Sequence, residues 1–249
     1  MSFKRALGAR ELPDSLQLAD GDYRLVQTLQ HSFFAATGAY EGPGGKMLFK
    51  SGREASLFGF PMRWVGRLLA RRELRMYEIC SGIEGVPSGS APVTETSFVR
   101  PFVEGRSHVR GEIVDNEFFP RFRKLLDQIH EREMAFVDLQ KADNVLIDEN
   151  GAPWLFDFQI AWHFPAHEKR QGIARFVPAP LGRFLLKRLQ TADNYHLLRH
   201  WSRSQRETMS VSDQRIADRP SIGIRVHRLI LNPWRALRKR LKSNTDSGR

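Results

Sequence analysis

Alternating apolar and polar residues near the start of the chain predict three short antiparallel strands. They read YRLVQTLQHS from Tyr23, FFAATGAYE from Phe33 and KMLFK from Lys46. A Gly-Pro-Gly-Gly turn at 42–45 separates the second strand from the third, as expected of a hairpin. A further apolar run, SFVRPFVEG at 97–105, predicts another strand that ends at a glycine.

Helical spacing of apolar residues follows in several places. Pro61 to Ile79 has apolar positions three and four residues apart and a proline in the first turn, which is typical of a helix start. A second helix is predicted from about Phe118 to Glu133. Beyond Trp162 the pattern predicts helical segments near 180–189, 191–209 and 225–242.

One further stretch, NVLIDENGAPWLFDF from Asn144, has two β-rich runs around Asn-Gly. Asn-Gly fits a type I′ turn, so a hairpin is predicted there. The order of elements predicts an α+β fold with two lobes. We expect a loosely packed leader at 1–22, a β-rich lobe with one helix at 23–105, and a helical lobe at 106–249 that carries the hairpin. A hinge between the lobes is expected within 103–115.

Composition narrows the class of protein. With 249 residues, 41% of them hydrophobic, the chain is long enough to bury a core. No apolar run approaches the roughly 18–20 residues that a membrane-spanning helix needs. The first 22 residues lack the apolar core of a secretory signal. Cys80 is the only cysteine, which excludes an intrachain disulfide or a cysteine-based zinc site. We therefore expect a cytoplasmic protein.

The net charge of +11 comes from 39 basic and 28 acidic residues and favours polyanionic partners. It is concentrated at 225–242, RVHRLILNPWRALRKRLK, which has no acidic residue. This pattern predicts a basic amphipathic helix that could lie on an anionic membrane, at the cytoplasmic face of the inner membrane. The alternative is a helix that packs its apolar side on the domain. No zinc, RNA-recognition or helix-turn-helix pattern accompanies the charge, so nucleic acid is not the expected partner.

Three polar residues stand out in AFVDLQKADNVLIDENGAPWLFDFQIAW, which begins at Ala135. Asp138 lies before the predicted hairpin, Asn144 lies at its start, and Asp157 lies just after it. Phosphoryl transfer needs one group to orient the attacking hydroxyl and others to hold a metal against the phosphates. A single loop aspartate often only caps its own turn. The three together indicate a phosphotransferase site.

These motifs resemble those of the protein-kinase-like superfamily. DLQKADNVLID resembles its catalytic loop and LFDFQ its Asp-Phe-Gly segment; within the superfamily the chain is most similar to the bacterial lipopolysaccharide-core (Kdo) kinase and RIO-like group. The resemblance covers about 23–162 and implies ATP and Mg²⁺ as cofactors. It implies that Asp138 is the catalytic base, that Asn144 and Asp157 bind the metal, and that Lys141 contacts the γ-phosphate.

Upstream of these motifs, the resemblance implies a nucleotide-binding set. Lys50 ends KMLFK, where the superfamily has the lysine that holds the α- and β-phosphates. Its expected partner is a glutamate on the next helix, either Glu73, which we favour, or Glu78. An exposed ion pair within the helix is the alternative for either glutamate. PFVEGR resembles the hinge whose backbone meets the adenine edge, at Phe102, Val103 and Glu104.

The first departure from the family pattern is the missing glycine-rich loop. No GxGxxG lies between the first two predicted strands, where Gln30-His31-Ser32-Phe33-Phe34 occupies the place of the loop that covers the phosphates. The glycines at 42–45 form the turn before Lys50 and are not a phosphate loop.

Further departures lie in the catalytic stretch. Phe136-Val137 replaces the usual His-Arg, so activation through a phosphorylated loop is not expected. One extra residue separates Asp138 from Asn144 and leaves Asp143 as a rival metal ligand. Gln159 replaces the glycine after Asp-Phe, which limits the freedom of that segment to flip.

The pattern as a whole predicts an ATP- and Mg²⁺-dependent phosphotransferase with a hydroxyl acceptor. A lipopolysaccharide-core or other lipid-linked sugar is the acceptor that suits the basic surface. A serine/threonine protein kinase is an alternative, although no Ala-Pro-Glu segment follows Asp157. A pseudokinase-type binding module is the other alternative.

Overall fold

The structure is a computed structural model that describes residues 4–165 and 176–218. The predicted basic segment at 225–242 lies outside the described residues. The N-terminal part is a six-stranded antiparallel sheet, in the spatial order first, second, third, fourth, sixth, fifth. Its strands are β1 (Ser15–Leu18), β2 (Gly21–His31), β3 (Ala35–Gly42), β4 (Gly45–Gly52), β5 (Ala91–Pro92) and β6 (Ser97–Pro101).

The predicted meander is confirmed in β2, β3 and β4. Gly42 pairs with Gly45, so Pro43 and Gly44 alone form the turn between β3 and β4. Lys50 pairs with Thr37 on one side and with Phe98 of β6 on the other. Lys50 is therefore fixed from both sides, in the middle of the sheet.

The segment before Tyr23 is not the loosely packed leader that the sequence predicted. β1 pairs with β2 along its whole length. Leu7, Leu12 and Leu16 are buried against Tyr23 and Tyr40 in a hydrophobic cluster on the sheet. Burial of these leucines supplies the free energy that orders the segment. Their spacing of four and five residues matches neither a strand nor a single helix face, which hides the signal in the sequence.

A long helix, α1 (Arg63–Ile79), packs against β4 and β6. It buries Glu73, Met76 and Tyr77. Close packing at its start requires glycine, since a Cβ at Gly66 would lie 2.2 Å from the carbonyl oxygen of Arg53. This contact sets the distance between α1 and the end of β4, and so the position of Glu73 relative to Lys50.

The C-terminal part is mainly helical and holds the largest hydrophobic cluster. Phe119 stacks on Trp201, with ring centroids 5.4 Å apart, and the cluster continues to Phe136 and Phe158. Short strand pairs lie beside the helices. Its elements are β7 (Arg106–Ser107), α2 (Phe118–Glu131), β8 (Met134–Ala135), β9 (Val145–Ile147), β10 (Pro153–Leu155), β11 (Trp162–His163), α3 (Ala179–Ser204) and α4 (Val211–Asp218).

The predicted hairpin is present as β9 and β10, but its turn is longer than predicted. Ile147 pairs with Pro153, so the connection has five residues rather than the two of a type I′ turn. The Asp148 carboxylate accepts hydrogen bonds from the backbone N–H groups of Asn150 and Ala152 and from Nε1 of Trp154. This side chain organises a wider loop than Asn-Gly alone would form.

The predicted helical segments at 180–189 and 191–209 form one helix, α3, as far as Ser204. No helix-breaking residue separates them, and the Thr191 hydroxyl donates to the carbonyl of Lys187 within the helix. Gln190 donates to the carbonyls of His130 and Met134, which ties α3 to the end of α2. Among the described residues, no helix is long and apolar enough to cross a membrane.

Candidate active site

Three charged side chains from different parts of the fold meet in the structure. The Lys50 ammonium lies 2.9 and 2.8 Å from the two carboxylate oxygens of Glu73 and 2.9 Å from Oδ1 of Asp157. We refer to Lys50, Glu73 and Asp157 as the ionic triad. Glu78, the other glutamate considered as a partner of Lys50, is exposed on the far side of α1. The structure thus pairs Lys50 with Glu73.

Burial and neighbouring charges shift the pKa values of Lys50 and Glu73 in opposite directions. Burial by itself would lower the pKa of Lys50, but the carboxylates of Glu73 and Asp157 outweigh it and raise the pKa above its usual value. Burial raises the pKa of Glu73, and the adjacent ammonium of Lys50 opposes that shift. Lys50 therefore stays protonated and positively charged. The Asp157 side chain keeps 35% of its surface exposed, so it remains open to a ligand.

The segment after Asp157 is packed under α1. Asp157 has left-handed backbone angles, φ 69° and ψ 57°, which are uncommon for a residue other than glycine. The Phe158 ring lies between Tyr77 and Phe136, at centroid distances of 5.3 and 5.1 Å. Arg72 donates to the carbonyl of Ala161 at 2.6 Å. These contacts hold the Asp157 carboxylate toward Lys50.

The predicted catalytic loop lies between β8 and β9. Lys141 forms an ion pair with Oδ2 of Asp138, and the two residues are also joined by a backbone hydrogen bond. Nδ2 of Asn144 donates to the carbonyl of Asp138 at 3.2 Å. The loop thus holds the three residues together, with the Asp138 side chain only 13% exposed.

Asn144 also lies beside the segment that carries Asp157. Its carbonyl accepts a hydrogen bond from the N–H of Phe156, the residue before Asp157. Asn144 is buried, whereas its neighbour Asp143 is exposed. Its Oδ1 accepts no hydrogen bond from the part of the chain that the structure describes. Asn144, rather than Asp143, is thus placed next to Asp157.

Sequence reasoning missed the residue that anchors this loop. Asp193 of α3 is fully buried, and its two oxygens accept hydrogen bonds from the N–H groups of Phe136 and Val137, at 2.7 and 2.8 Å. Val137 has a φ of 72°, a strained value for a β-branched residue. Burial raises the pKa of Asp193, while His130 and the two N–H groups oppose the shift. A polar residue on the inner face of a predicted helix was the only available signal.

His200 supports the other side of the loop, and a second buried histidine, His108, packs beside the His200 ring. Nε2 of His200 donates to the carbonyl of Leu139 at 2.9 Å, and burial lowers the pKa of His200 to about 4. Nδ1 of His108 lies 2.8 Å from Glu112, and burial likewise lowers the pKa of His108. Both imidazoles are neutral near pH 7, so His200 fixes the loop through the Leu139 carbonyl without adding charge.

The predicted hinge follows β6 directly. The N–H of Phe102 donates to the carbonyl of Lys46 at 3.1 Å, and the Glu104 carboxylate pairs with the Lys46 ammonium at 2.7 Å. The backbone N–H of Val103 donates to no described residue. A cavity of about 330 Å³ between the hinge and the 148–150 loop includes these three hinge residues. It contains no member of the ionic triad.

The turn in place of a glycine-rich loop is short and anchored. The N–H of Ser32 donates to the carbonyl of Ala35 at 2.8 Å, closing the turn between β2 and β3. The buried Arg53 donates to the carbonyl of Phe33 and lies 3.9 Å from the centroid of the Phe33 ring. The turn is therefore held by the side chain of the residue that directly follows β4.

The oxygen atoms of Asp157 and Asn144 are of the kind that binds Mg²⁺, the metal that the resemblance implies. Carboxylate and amide oxygens at Asp157 and Asn144 are ligands that Mg²⁺ prefers, with phosphate and water completing the coordination. No group of three or more His, Cys, Asp or Glu side chains with the geometry of a metal site occurs in the described ranges. Asp157 and Asn144 therefore fit as two protein ligands of a Mg²⁺ ion whose other ligands are phosphate and water oxygens.

Comparisons with known proteins show the fold. No family model matches the chain, and no curated protein matches it. The crystal structure of the Rio2 kinase from Chaetomium thermophilum superposes with a TM-score of 0.50 at 12% sequence identity. The match covers 74% of this chain and 60% of the Rio2 chain. The protein has a protein-kinase-like α+β fold, with an antiparallel sheet in its N-terminal lobe and a helical C-terminal lobe.

Proposed function

We propose that the protein is a phosphotransferase that uses a magnesium nucleoside triphosphate and a hydroxyl acceptor. The observation that carries the proposal is the ionic triad. It brings a buried lysine and two carboxylates together beside the loop that holds Asp138 and Asn144. The kinase-like fold of the Rio2 neighbour supports the same reaction class.

Each residue has a distinct role in this proposal. A bound magnesium nucleotide supplies the phosphoryl group and a diphosphate leaving group. Lys50 neutralises phosphate oxygens while Glu73 keeps its ammonium in place. Asp157 and Asn144 would hold the metal through oxygen atoms. Asp138 would orient the acceptor hydroxyl and take its proton as that oxygen bonds to phosphorus, and Lys141 would neutralise oxygens of the transferred phosphoryl group.

The proposed acceptor is a hydroxyl of an anionic, lipid-linked sugar, such as that of a lipopolysaccharide core. The support is the charge of +11 and the similarity of the catalytic motifs to the Kdo kinase group. The basic segment at 225–242 would hold the protein on an anionic membrane where such an acceptor is located.

A nucleotide-binding module without turnover is the second candidate function. The Ser32–Phe34 turn favours it, since Arg53 fixes this turn and its backbone has no glycine to close over phosphates. Under this candidate, Lys50 and Asp157 bind a nucleotide that is not hydrolysed or transferred.

Phosphoryl transfer by the purified full chain tests the proposal. We would measure turnover of Mg-ATP and Mg-GTP with core-oligosaccharide extract and with a generic protein as acceptors. Asp138→Ala and Asp157→Ala should each lower the rate at least about 100-fold, because each removes a group that acts on the reacting atoms. The matched control is Asp143→Ala, an exposed neighbour that should keep the rate.

Two results would overturn parts of this proposal. Equal rates in the wild type and both aspartate variants would exclude the phosphotransferase, and nucleotide binding without turnover would leave the binding module. Flotation with vesicles that contain or lack anionic lipid tests the membrane contact. If neither vesicle binds the full chain, the role of 225–242 at a membrane is excluded.

A further inference from the structure

Four large apolar side chains are exposed just before α1 and in its first turns. Phe58 and Phe60 are 78% and 73% exposed, and Trp64 and Leu68 are each 57% exposed. Single apolar residues on a surface are ordinary, but a group of this size within a short segment marks a place of interaction. The proposed phosphoryl transfer gives none of the four a role.

A tight turn presents the two phenylalanines. Leu57 and Phe60 exchange two backbone hydrogen bonds of 2.9 Å, so Phe58 and Gly59 alone form the turn. Both have positive φ values, 49° and 85°, as in the tight turns of hairpins, and this conformation is unfavourable for phenylalanine. A Cβ at Gly59 would have no neighbour within 4 Å. The turn therefore projects from the domain and carries its rings outward.

The two faces of α1 have different surroundings. Ala70 and Glu73 are buried on the face that meets the sheet. Trp64, Leu68 and Arg71 are exposed and follow one another at helical spacing. Leu68 and Arg71 each precede a buried residue by two positions, which corresponds to about 200° around the helix. A partner on this outer face would therefore leave the Glu73 carboxylate in the ionic triad undisturbed.

Arginines continue the outer face of α1 beyond its apolar part. Arg71 and Arg75 are exposed and line a groove of about 880 Å³ between α1 and the 90–95 segment, which contains β5. Glu78 and Glu95 line the same groove. Neither arginine pairs with an acidic side chain in the part of the chain that the structure describes. Both guanidinium groups are thus open to an anion from outside.

The charge of this region is strongly one-sided. Residues 57–77 include five arginines and a single acidic residue, Glu73, which is buried in the ionic triad. Glu95 offsets part of the excess, since it lies 4.0 Å from Arg63 and 3.4 Å from Arg67. The remaining positive charge is complementary to an anionic surface.

This combination of side chains favours a lipid surface over a protein. Phenylalanine and tryptophan rings lie readily at the level of lipid headgroups, and arginine pairs with lipid phosphates. A projecting turn with two aromatic rings can enter a fluid bilayer, whereas a protein partner would need a pocket of matching shape. Because exposed acids are few here, an anionic bilayer should be preferred over a neutral one.

We propose that this surface docks the protein on a bilayer that contains anionic phospholipid. The apolar side chains enter the headgroup region and the two arginines contact lipid phosphates. This contact is separate from the one proposed for 225–242, and it does not depend on phosphoryl transfer. We call it the α1 outer surface; it consists of Phe58, Phe60, Trp64, Leu68, Arg71 and Arg75.

Vesicle binding by the full chain tests the apolar part of the α1 outer surface. The vesicles contain phosphatidylcholine alone or with roughly 30% phosphatidylglycerol, and the wild type should prefer the anionic ones. The double variant Phe60→Ser, Trp64→Ser should lower the affinity at least about tenfold, because two rings no longer enter the bilayer. The matched control is Val109→Ser, Ile113→Ser, at exposed positions before α2, which should bind as the wild type does.

Charge variants test the arginines. The double variant Arg71→Gln, Arg75→Gln should lower the affinity for anionic vesicles roughly tenfold to thirtyfold and leave binding to neutral vesicles nearly unchanged. Arg121→Gln, Lys124→Gln removes the same charge from exposed positions of α2 and is the control. A loss of equal size in this control would show that only the total charge matters, and it would overturn the assignment of the arginines to the α1 outer surface.

A fluorescent label reports where the protein touches the bilayer. Cys80 is fully buried, so Phe60→Cys can be labelled selectively with an environment-sensitive dye. Its emission should shift to the blue on anionic vesicles and should be quenched by lipid-attached quenchers. The same dye at Ile113→Cys should show neither change. This measurement separates the α1 outer surface from 225–242, since a chain bound only through 225–242 would leave the label at position 60 in water.

Three results would overturn the proposal. The first is a wild type that binds neither kind of vesicle. The second is binding that is unchanged in both double variants of the α1 outer surface, together with an unshifted label at position 60. The third is a wild-type dimer that Phe60→Ser, Trp64→Ser converts to monomer without any vesicle binding, which would assign the surface to contact between copies. Vesicle binding with no phosphoryl transfer in any variant would contradict the proposed function and leave this inference supported.

Discussion

Lys50 and Asp138 lie on two sides of the candidate active site, and different kinds of contact hold them. Lys50 is held by charge, because Glu73 and Asp157 both approach its ammonium within 3 Å. Asp138 is held through its backbone neighbours, which are bound by Asp193 and His200 of α3. The triad residues are themselves the proposed binding groups, whereas the residues that fix the loop touch no expected substrate.

The two sides of the site should respond differently to substitution. Breaking the ionic triad leaves a buried charge without its counter-ion and also removes a ligand-binding group. Breaking the loop anchor leaves all proposed catalytic side chains in the chain but releases the backbone that orients them. The two sides should therefore lose stability for different reasons and by different amounts, and substitutions at four positions measure this.

The largest expected effect is at the loop anchor. Asp193→Ala should lower the free energy of unfolding by about 4 kcal/mol, since two buried N–H groups lose their acceptor at about 1–3 kcal/mol each. Asp193→Asn keeps one acceptor oxygen and should lose less. Chemical denaturation of the full chain measures both. Equal stability of Asp193→Ala and wild type would show that the 136–141 loop does not depend on Asp193.

On the other side of the site, Lys50→Met should cost about 3 kcal/mol, because Glu73 is left buried without a cation. Adding Glu73→Gln to Lys50→Met should recover part of this loss. The control is Lys46→Met, whose surface pair with Glu104 should contribute less than about 1 kcal/mol. Denaturation of Lys50→Met, Glu73→Gln and the double variant gives the coupling between Lys50 and Glu73; purely additive effects would contradict the buried pair.

The next effect depends on pH and comes from His200. Its pKa is about 4 in the folded protein, below the ordinary histidine value of 6.5, so its stabilising contribution is present above pH 6.5 and is lost as the pH falls toward 4. Between pH 7 and pH 5 this one group should remove about 2 kcal/mol. His200→Gln can still donate to Leu139 but does not titrate. Unfolding at both pH values should show a smaller difference in the variant than in the wild type.

The smallest effect is expected at the contact that joins α1 to the Asp157 segment. Arg72→Met removes the hydrogen bond to the Ala161 carbonyl and should cost about 1 kcal/mol. Amide hydrogen exchange at 158–161 should become faster, because this contact holds the segment under α1. Arg71→Met, at the exposed neighbouring position, is the control. Unchanged exchange in Arg72→Met would show that Phe158 packing alone holds the segment.

The sequence predicted the elements and most of the polar residues that the structure brings together. Alternation of apolar and polar residues predicted β2, β3 and β4, and apolar residues at helical spacing predicted α1 and α2. Both patterns extend over only a few residues, so they are visible in the sequence. The motif residues Lys50, Asp138, Asn144 and Asp157 were visible for the same reason. Their roles in nucleotide binding and transfer stay predictions until turnover is measured.

Other features had no local pattern. The bonds from Asp193 to Phe136 and from His200 to Leu139 join residues about 60 positions apart, and either residue alone reads as an ordinary polar position of a helix. The choice of Glu73 over Glu78 depends on which face of α1 meets β4. Both glutamates lie on the same predicted helix, so the sequence left both available.

By itself, the sequence determined which strands and helices form and which ionisable groups lie near their ends, since hydrophobic periodicity acts over a few residues. The tertiary structure decided which of those groups meet. It joined Lys50 to Glu73, buried the first leucines of the chain against the sheet, and left Trp64 and Leu68 exposed on the outer face of α1. These outcomes depend on packing between distant segments, where close approach and burial set the cost of every unpaired polar group.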